Sequence, residues 1–436
     1  MVYFKDANNK PVIYMKIAVI GAGLCGLMTG YYLSREFEVS IYEKDANVGG
    51  LTATVDCNGI RIEKYNHFFS VNDRELIKIL DELNLARGLY WTKAKQAFIT
   101  KDILYSLTDV WDFFRFSSLG LKQKTELALF LLRCHIQKNP VSLSGITAED
   151  WVKAECGDEV FRSFFQPFLN FKFSDFTDIS AAYLWARIKE LKQNKLGYLR
   201  GGTEILFKKL TEDITRQQGK ILLNSKVSKI EREDKKKWRV YADKKQEIYD
   251  LVISCIPYVE TESLYPQISK KIIPAQEIKY LSISSYLLQL SQPLKQGYWL
   301  FMLNFADDKN QVLIDTSVLT GDTFVYFPVY SLKTTMDQLD KNKIWDDCLK
   351  SLKAINPNFS SEWIKSSLFF CDKNVEPVIT RKFFNILKDS PVSDEGLYIT
   401  ELIYEPGVLK TLNSAVIKSK RVANLIKDKY AGNNSS

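Results

Sequence analysis

The sequence predicts an α/β fold, because buried-strand patterns recur far apart in the chain and alternate with helical patterns. Residues 15–20 form a short β-branched run without alternation, which is typical of a strand buried on both faces. A glycine-rich turn, a helical segment and a second strand follow by residue 43, and residues 251–257 repeat the buried-strand pattern. Residues 67–199 are mainly helical in character and indicate an inserted region.

The first half of the chain contains the helical patterns on which this prediction rests. After strands at 15–20 and 38–43, residues 73–85 are amphipathic. Asp73 is the expected N-cap of that helix. Residues 102–138 predict two further helices, and residues 147–155 predict another, which opens with a T-x-x-D capping pattern.

Strand patterns return in the second half. They fall at 221–223, 227–231, 238–242 and 249–255, and alternation in 278–290 and 323–330 predicts an antiparallel sheet. A short strand at 397–401 and a helix at 411–430 close the fold. We expect residues 1–14 to be an extension outside the main fold and residues 431–436 to be a polar tail.

Composition excludes several classes of protein. The 436 residues are 46% hydrophobic and 26% charged, which is ordinary for a globular chain. The net charge of +8 is spread thinly, without the concentrated basic stripe of a nucleic-acid-binding protein. Seven cysteines without a C-x-x-C pair indicate neither a disulfide framework nor a metal site, so we expect a cytoplasmic protein without metal. No run of 18 uncharged apolar residues predicts a transmembrane helix.

The strongest motif is a glycine loop between the first strand and the first helix. Gly21, Gly23 and Gly26 have the G-x-G-x-x-G spacing, and Glu43 ends the next strand. This arrangement is the fingerprint of dinucleotide binding: the glycines allow a tight turn, close approach of the backbone to a pyrophosphate, and helix–strand packing. The helix N-terminus attracts the phosphates, and Glu43 accepts hydrogen bonds from ribose hydroxyls. Gly49-Gly50-Leu51 would bring a second stretch of backbone to the same pyrophosphate.

With these residues assembled, the sequence resembles the flavin-dependent amine oxidase, protoporphyrinogen oxidase and phytoene desaturase superfamily, which also includes UDP-galactopyranose mutase. The resemblance lies in residues 16–26, 43–51, 64–73 (KYNHFFSVND), 196–206 (LGYLRGGTEIL) and 396–423. It implies a small-molecule flavoenzyme that binds FAD. It also implies an α/β fold in which a discontinuous Rossmann-like FAD-binding domain carries an inserted α+β substrate domain. The FAD-binding domain would comprise residues 15–66, 197–260 and 394–430, and the substrate domain residues 67–196 and 261–393.

The resemblance also assigns roles to individual residues. His67 would contact the flavin and is the candidate catalytic residue, while Arg187, Arg200 and Gly201 would bind substrate. Where relatives have Gly-Asp after the last strand, this chain has Thr400-Glu401. The implied cofactor-binding set is Gly21, Ala22, Gly23, Leu24, Cys25, Gly26, Glu43, Lys44, Gly49, Gly50, Leu51, Thr52, Val227, Glu401 and Leu412.

Three functions remain open at this point. The first is an FAD-dependent oxidoreductase of the protoporphyrinogen oxidase or amine oxidase type, in which an anionic or a bulky apolar substrate gives hydride to flavin N5. The second is a non-redox nucleotide-sugar mutase that uses reduced flavin as a nucleophile. The third is a binding protein like the GDP-dissociation inhibitors, which use no flavin.

Membrane contact is a separate expectation. Apolar residues crowd together in the helical patterns of 102–136 and predict either an interfacial patch or core packing. They are Trp111, Phe113, Phe114, Phe116, Leu119 and Leu121. The sequence does not indicate an oligomeric state.

Overall fold

The computed structural model describes most of the chain. The described residues are 3–5, 11–13, 15–100, 103–106, 112, 119–174, 177–191, 195–234, 237–305, 310–332, 339–389, 393–403 and 409–430.

Helices and strands alternate along these residues. The helices are α1 (Leu24–Leu33), α2 (Arg74–Glu82), α3 (Leu121–Ile136), α4 (Ala148–Val160), α5 (Gln166–Phe173), α6 (Ala181–Leu191), α7 (Gly202–Arg216), α8 (Tyr258–Leu264), α9 (Ile268–Lys271), α10 (Ser317–Thr320), α11 (Lys341–Ile355), α12 (Arg381–Asp389) and α13 (Leu412–Tyr430). The strands are β1 (Tyr3–Lys5), β2 (Pro11–Ile13), β3 (Lys16–Ile20), β4 (Glu38–Tyr42), β5 (Thr54–Cys57), β6 (Ile60–Glu63), β7 (Phe69–Ser70), β8 (Leu89–Lys93), β9 (Lys95–Thr100), β10 (Ile103–Ser106), β11 (Lys195–Leu199), β12 (Lys220–Leu222), β13 (Val227–Arg232), β14 (Trp238–Ala242), β15 (Lys245–Tyr249), β16 (Leu251–Ser254), β17 (Tyr280–Leu290), β18 (Tyr298–Asn304), β19 (Asn310–Asp315), β20 (Phe324–Ser331), β21 (Ile364–Pro377), β22 (Ser393–Asp394) and β23 (Leu397–Ile399).

A six-stranded sheet, which we call the parallel sheet, collects strands from the whole length of the chain. Its order is β12-β4-β3-β16-β23-β22, and every neighbouring pair is parallel except β22 with β23. All four residues of β16 are buried, as is expected of a parallel strand with both faces covered. Helix α1 packs against both α7 and α13 beside this sheet. The α/β prediction is therefore confirmed.

A second, seven-stranded sheet, the mixed sheet, carries a helical layer. Its order is β10-β9-β18-β19-β20-β17-β21, with β9 and β18 parallel and the other neighbours antiparallel. The alternation in β17 and β20 predicts the antiparallel part. Helix α5 packs on β19 and β20, while α3, α4 and α6 contact one another.

The middle of the chain contains strands that the sequence analysis does not predict. The described part of 67–199 is mainly helical, as predicted, but it also includes the strands β7 to β11, and β9 pairs with β18 about two hundred residues later. Within 102–138 the described residues form the helix α3, as predicted, and the strand β10, which is not predicted. Residues 107–111, 113–118 and 431–436 lie outside the described residues, so the second helix and the polar tail stay predictions. Residues 3–5 and 11–13 of the expected extension pair as a short antiparallel ladder, and the division into domains stays a prediction.

Candidate cofactor and substrate site

Two glycines of the predicted phosphate loop are required by the fold itself. Gly21 has φ +94°, a conformation that side chains rarely adopt. A Cβ on Gly26 would lie 1.8 Å from the carbonyl oxygen of Gly21. The tight turn from β3 into α1 therefore needs both residues, whatever the loop binds.

Gly23 is different, because neither its backbone conformation nor a contact within the described chain requires a glycine at this position. Its backbone is extended, with φ −68°. A Cβ there would meet only the Gly49 carbonyl oxygen, at 4.0 Å. The second glycine stretch faces it: the Gly49 amide donates to the carbonyl of Ala22 at 2.9 Å, and a Cβ on Gly50 would lie 3.4 Å from the Gly23 Cα. Space thus remains beside Gly23 that a larger side chain would fill.

The N-terminus of α1 opens toward this glycine pair. Gly23 is the N-cap, no described side chain caps the helix, and its first turn contains no acidic residue. The first amides of an α-helix have no partner within the helix and carry a partial positive charge. An anion placed beside Gly23 would satisfy these amides.

Glu43 lies at the end of β4 next to the loop and is buried. One carboxylate oxygen accepts the Ala22 amide at 2.7 Å, and the other accepts the Asp45 amide at 3.0 Å. A carboxylate has about four acceptor positions, so Glu43 can hold the loop and still accept further hydrogen bonds.

The other residues predicted to hold the nucleotide surround this loop. Thr52 donates to the Gly49 carbonyl at 2.8 Å, and Leu24 is buried, while Lys44 is exposed. Val227 begins β13, two residues after Ser225, whose amide donates to the Glu43 carbonyl at 2.7 Å. The structure therefore brings the Val227 segment to the same end of the parallel sheet.

His67 occupies a position that fixes its tautomer. Its Nδ1 lies 2.8 Å from the carbonyl oxygen of Tyr65, and a carbonyl can only accept, so Nδ1 carries the proton. Burial lowers the pKa of His67 below its ordinary 6.5, against the opposing effects of that hydrogen bond and of the Glu63 charge. The ring is therefore neutral at pH 7, with Nε2 as an acceptor. The neighbouring Asn66 has a buried Oδ1 without a partner among the described residues.

Tyr65 connects this segment to the mixed sheet. Its hydroxyl donates to Asp372 on β21 at 2.8 Å, and Lys64 pairs with the same carboxylate at 2.6 Å. Burial, followed by the charge of Asp372, raises the pKa of the Tyr65 hydroxyl far above its ordinary 10. The hydroxyl therefore stays protonated and acts as a donor.

A buried group of charges lies further along β21. Lys172 of α5 pairs with Glu376 at 2.7 Å, and both side chains are largely shielded from solvent. Burial disfavours both charges, but Glu376 raises the pKa of Lys172, while Lys172 and Arg187 lower the pKa of Glu376. Arg187 itself pairs with Glu190 at 3.2 Å and donates to the Tyr183 hydroxyl at 3.0 Å. The structure thus places the partly exposed Arg187 beside the Lys172–Glu376 pair, whose Glu376 it helps to keep ionised.

Arg200 and Gly201 lie elsewhere, at the exposed turn before α7. Glu63, which the sequence does not single out, organises this turn. Glu63 is buried, and its two carboxylate oxygens accept the Tyr198 hydroxyl and the Thr203 amide, each at 2.8 Å. An acid at the end of a short strand gives no sign of these partners, because they are more than a hundred residues away in sequence.

Glu401 follows β23, and one of its carboxylate oxygens accepts two hydrogen bonds from the protein. This oxygen accepts the Tyr258 amide at 2.5 Å and also the Tyr280 hydroxyl. Burial and the charge of Glu401 raise the pKa of Tyr280 far above its ordinary value. Leu412 is buried at the start of α13, where the Ser414 amide donates to the Thr411 hydroxyl at 3.2 Å.

Comparison with known proteins agrees with this arrangement. The family model of flavin containing amine oxidoreductases matches residues 24–380. Coproporphyrinogen III oxidase of Staphylococcus aureus is 23% identical over 286 residues, which are 56% of this chain and 60% of the relative. The chloroplastic/chromoplastic 15-cis-phytoene desaturase of Glycine max is 24% identical over 254 residues, 52% of this chain and 44% of the relative. The chain thus spans about half the length of these curated relatives.

The fold is also found among solved structures. An oxidoreductase from Methanosarcina mazei superposes with a TM-score of 0.70 at 18% identity, covering 94% of this chain and 100% of that one. In the described residues of the present chain, the helices are too short or too polar to cross a membrane. Because the family model matches well over half of the residues, this chain belongs to the flavin-containing amine oxidoreductase family.

Proposed function

We propose that the protein is an FAD-dependent oxidoreductase that removes hydride from a small organic substrate. Membership of the flavin amine oxidoreductase family supports the reaction class, and the loop between β3 and α1 supports the cofactor. When bound, FAD supplies the hydride-accepting ring, and the protein orients the substrate and excludes water. The cytoplasmic location remains a prediction.

The observation that carries the proposal is the space beside Gly23. The fold would accommodate an alanine there, because φ is ordinary and the atom nearest to an added Cβ would be 4.0 Å away. A pyrophosphate approaching the uncapped N-terminus of α1 needs that space. Gly49 and Gly50 would bring backbone to the other side of the phosphates, and Glu43 would accept from the ribose.

The substrate would lie between the KYNHFF segment and β21. Neutral His67 offers an acceptor in this region, and the Lys172–Glu376 pair with Arg187 lies beyond it along the mixed sheet. Arg187 would recognise an anionic substrate. The aromatic rings of Phe171 and Tyr330 pack edge to face with their centroids 6.2 Å apart, and they would suit a bulky apolar substrate. Turnover measured with a panel of carboxylated and of uncharged apolar compounds distinguishes an anionic substrate from an apolar one.

Contact with a membrane surface is part of the proposal. Helix α3 buries Leu127, Phe130 and Cys134, but exposes an apolar stripe at helical spacing. Exposed Lys122 and Arg133 lie on the same helix. Leu119 of the predicted patch is buried, and Trp111, Phe113, Phe114 and Phe116 lie outside the described residues. The stripe consists of Leu121, Leu129, Leu132 and Ile136.

Substitution of Gly23 tests the cofactor site. We expect wild-type protein to bind FAD, visible as absorbance bands between 300 and 600 nm, and Gly23→Ala to weaken binding at least tenfold while unfolding at nearly the same temperature. Gly145→Ala is the matched control, because a Cβ at Gly145 meets nothing within 4 Å. Full flavin content in Gly23→Ala would show that the pyrophosphate lies elsewhere, and a wild-type protein unable to take up FAD would exclude the cofactor.

Reoxidation of the reduced, FAD-loaded protein distinguishes the two enzyme functions. Rapid reoxidation in air supports the oxidoreductase, and slow reoxidation with nucleotide-sugar turnover supports the mutase.

Substitution of His67 tests its contact with the flavin. Its Nε2 is an acceptor, so His67→Gln, which keeps hydrogen-bonding capacity, should shift the absorbance maxima of bound flavin less than His67→Leu does. The measurement is the visible spectrum of each loaded variant, together with its turnover from pH 6 to 9. Identical spectra for wild type and His67→Leu would place His67 away from the ring.

A further inference from the structure

Two cysteines from distant parts of the chain meet beside the phosphate loop. Cys25 is the second residue of α1, and Cys255 directly follows β16. Thr29 connects them, because its hydroxyl donates to the Cys25 carbonyl at 2.8 Å and also contacts the Cys255 sulfur. Each sulfur also has a hydroxyl neighbour: Ser419 Oγ lies 3.3 Å from Cys25 Sγ, and Thr29 Oγ1 lies 3.8 Å from Cys255 Sγ.

The backbone around this pair is held by the parallel sheet. The Cys255 amide donates to the Ile20 carbonyl at 2.9 Å, which ties it to the end of β3. A Cβ on Gly26, the residue after Cys25, would lie only 3.6 Å from the Cys255 Cβ. The two cysteine backbones are therefore kept close by elements of the fold rather than by loop conformation.

The pair is also more accessible than most of the other cysteines. Cys25, Cys255 and Cys371 are partly exposed, whereas Cys57, Cys134, Cys156 and Cys348 are buried. Among the cysteines that reagents can reach in the described structure, Cys25 and Cys255 form a pair.

The two thiols have opposite acidities. The Cys255 hydrogen bond, opposed by burial and assisted by Ser419, Thr400 and the charge of Lys418, lowers the pKa of Cys25 to about 6. Burial, followed by the proximity of Cys25, raises the pKa of Cys255 well above its ordinary value. At pH 7.5 a Cys25 thiolate thus faces a Cys255 thiol, the arrangement of an attacking and a resolving cysteine.

We propose that Cys25 and Cys255 are a thiol oxidation site that closes to a disulfide in the presence of hydrogen peroxide. The Cys25 thiolate attacks one peroxide oxygen, the O–O bond breaks, and Cys25 becomes a sulfenic acid as hydroxide leaves. The Cys255 sulfur then attacks the Cys25 sulfur, the S–O bond breaks, and the S–S bond forms. In total two thiols and one peroxide give one disulfide and two waters, and a dithiol reductant reverses the closure.

The cross-link would join the first turn of α1 to the end of β16, immediately next to Gly21 and Gly26. It would therefore fix the phosphate loop against the parallel sheet. Because it spans about 230 residues of chain, it should raise the unfolding temperature by roughly 5 °C or more.

The test is peroxide titration of the reduced full-length protein at pH 7.5, followed by alkylation and peptide mass spectrometry without reduction. We expect one cross-linked peptide pair that contains Cys25 and Cys255, a higher unfolding temperature, and reversal of both by dithiothreitol. The variants Cys25→Ser and Cys255→Ser should each abolish the cross-link and the temperature shift.

Cys371→Ser is the matched control, because Cys371 is also partly exposed and accepts from the Ser284 hydroxyl at 3.2 Å. This variant should retain the cross-link. The proposal is overturned if peroxide converts Cys371 to sulfenic acid while Cys25 and Cys255 stay reduced. It is equally overturned if their cross-link appears only in urea-unfolded protein.

Discussion

Asp73 precedes the first turn of α2 but does not cap it. Its carboxylate accepts the amide of Ser70 at 2.7 Å instead, and the side chain of Asn413 on α13 accepts the amide of Leu76 in the first turn of α2 at 2.9 Å. Burial, reinforced by the charge of Glu190 and opposed by the Ser70 hydrogen bond, raises the pKa of Asp73 to about 6. The hydrogen bond from Ser70 thus holds the turn before the helix. Burial of the ionised carboxylate nevertheless lowers the stability of the folded state.

This position makes a pH-dependent prediction for Asp73→Asn. Because the folded pKa of about 6 lies above the ordinary 3.8, the stabilising contribution of the carboxyl is complete below pH 3.8 and is lost as the pH rises through 6. Asparagine does not titrate, so the variant should gain roughly 2 kcal/mol on wild type between pH 4.5 and pH 7.5. Urea unfolding at both pH values measures this, with exposed Asp81→Asn as the control. An equal difference at both pH values would contradict it.

The role of a single residue can be predicted from the sequence where it follows from backbone conformation or from the spacing of a local motif. The G-x-G-x-x-G spacing predicts the turn for which Gly21 and Gly26 are needed. The capping pattern at residues 147–150 is also confirmed, because the Thr147 side chain accepts the Asp150 amide. Glu63 and the Cys25–Cys255 contact are beyond the reach of sequence patterns, because their partners are brought together only by the tertiary fold.

Among the elements, amphipathic helices are predicted best. Leu76, Ile79, Leu80 and Leu83 are all buried on one face of α2 and its end, as their spacing requires. Strands β9 and β10 are not predicted from the sequence, because their stability comes from pairing with β18 and with each other rather than from their own hydrophobic pattern.

Helix α3 carries the prediction about membranes. Exposed apolar residues at helical spacing with lysine and arginine nearby are typical of a helix that lies on an anionic lipid surface. We expect the wild-type protein to co-sediment with vesicles containing phosphatidylglycerol, and the double variant Leu129→Glu and Leu132→Glu to bind them at least tenfold more weakly. Leu425→Glu is the control, since Leu425 is exposed on α13. Equal binding by all three proteins would argue that the α3 stripe does not contact lipid.

For the whole molecule, the Lys172–Glu376 pair joins the helical layer to the mixed sheet. Removing one partner leaves a buried charge uncompensated, so Lys172→Met should lower the free energy of unfolding by about 3–5 kcal/mol. The double variant Lys172→Met, Glu376→Gln should recover most of that loss. Denaturant unfolding measures both, with the more exposed pair Lys78–Glu75 as a control expected to contribute under about 1 kcal/mol. A loss below about 1 kcal/mol in Lys172→Met, no larger than that of an exposed pair, would show that the pair does not stabilise the junction.

The α/β fold class is predictable because one short motif, β-turn-α-β, contains most of the information about it. The mixed sheet is only partly predictable, since it pairs β9 with β18, and β17 with β20 and β21, although these strands are not consecutive in the chain.

The order of strands in the parallel sheet also affects how the protein is made. Strand β3 emerges from the ribosome early, but its neighbour β16 begins at residue 251, and β23, the strand beyond, at residue 397. At about 5–20 residues per second, translation from β3 to β23 takes roughly 20 to 75 seconds. The edge of β3 lacks its partner until β16 has been made, and α1 lacks α13 for longer still, so the nascent chain should depend on chaperones until α13 has been synthesised.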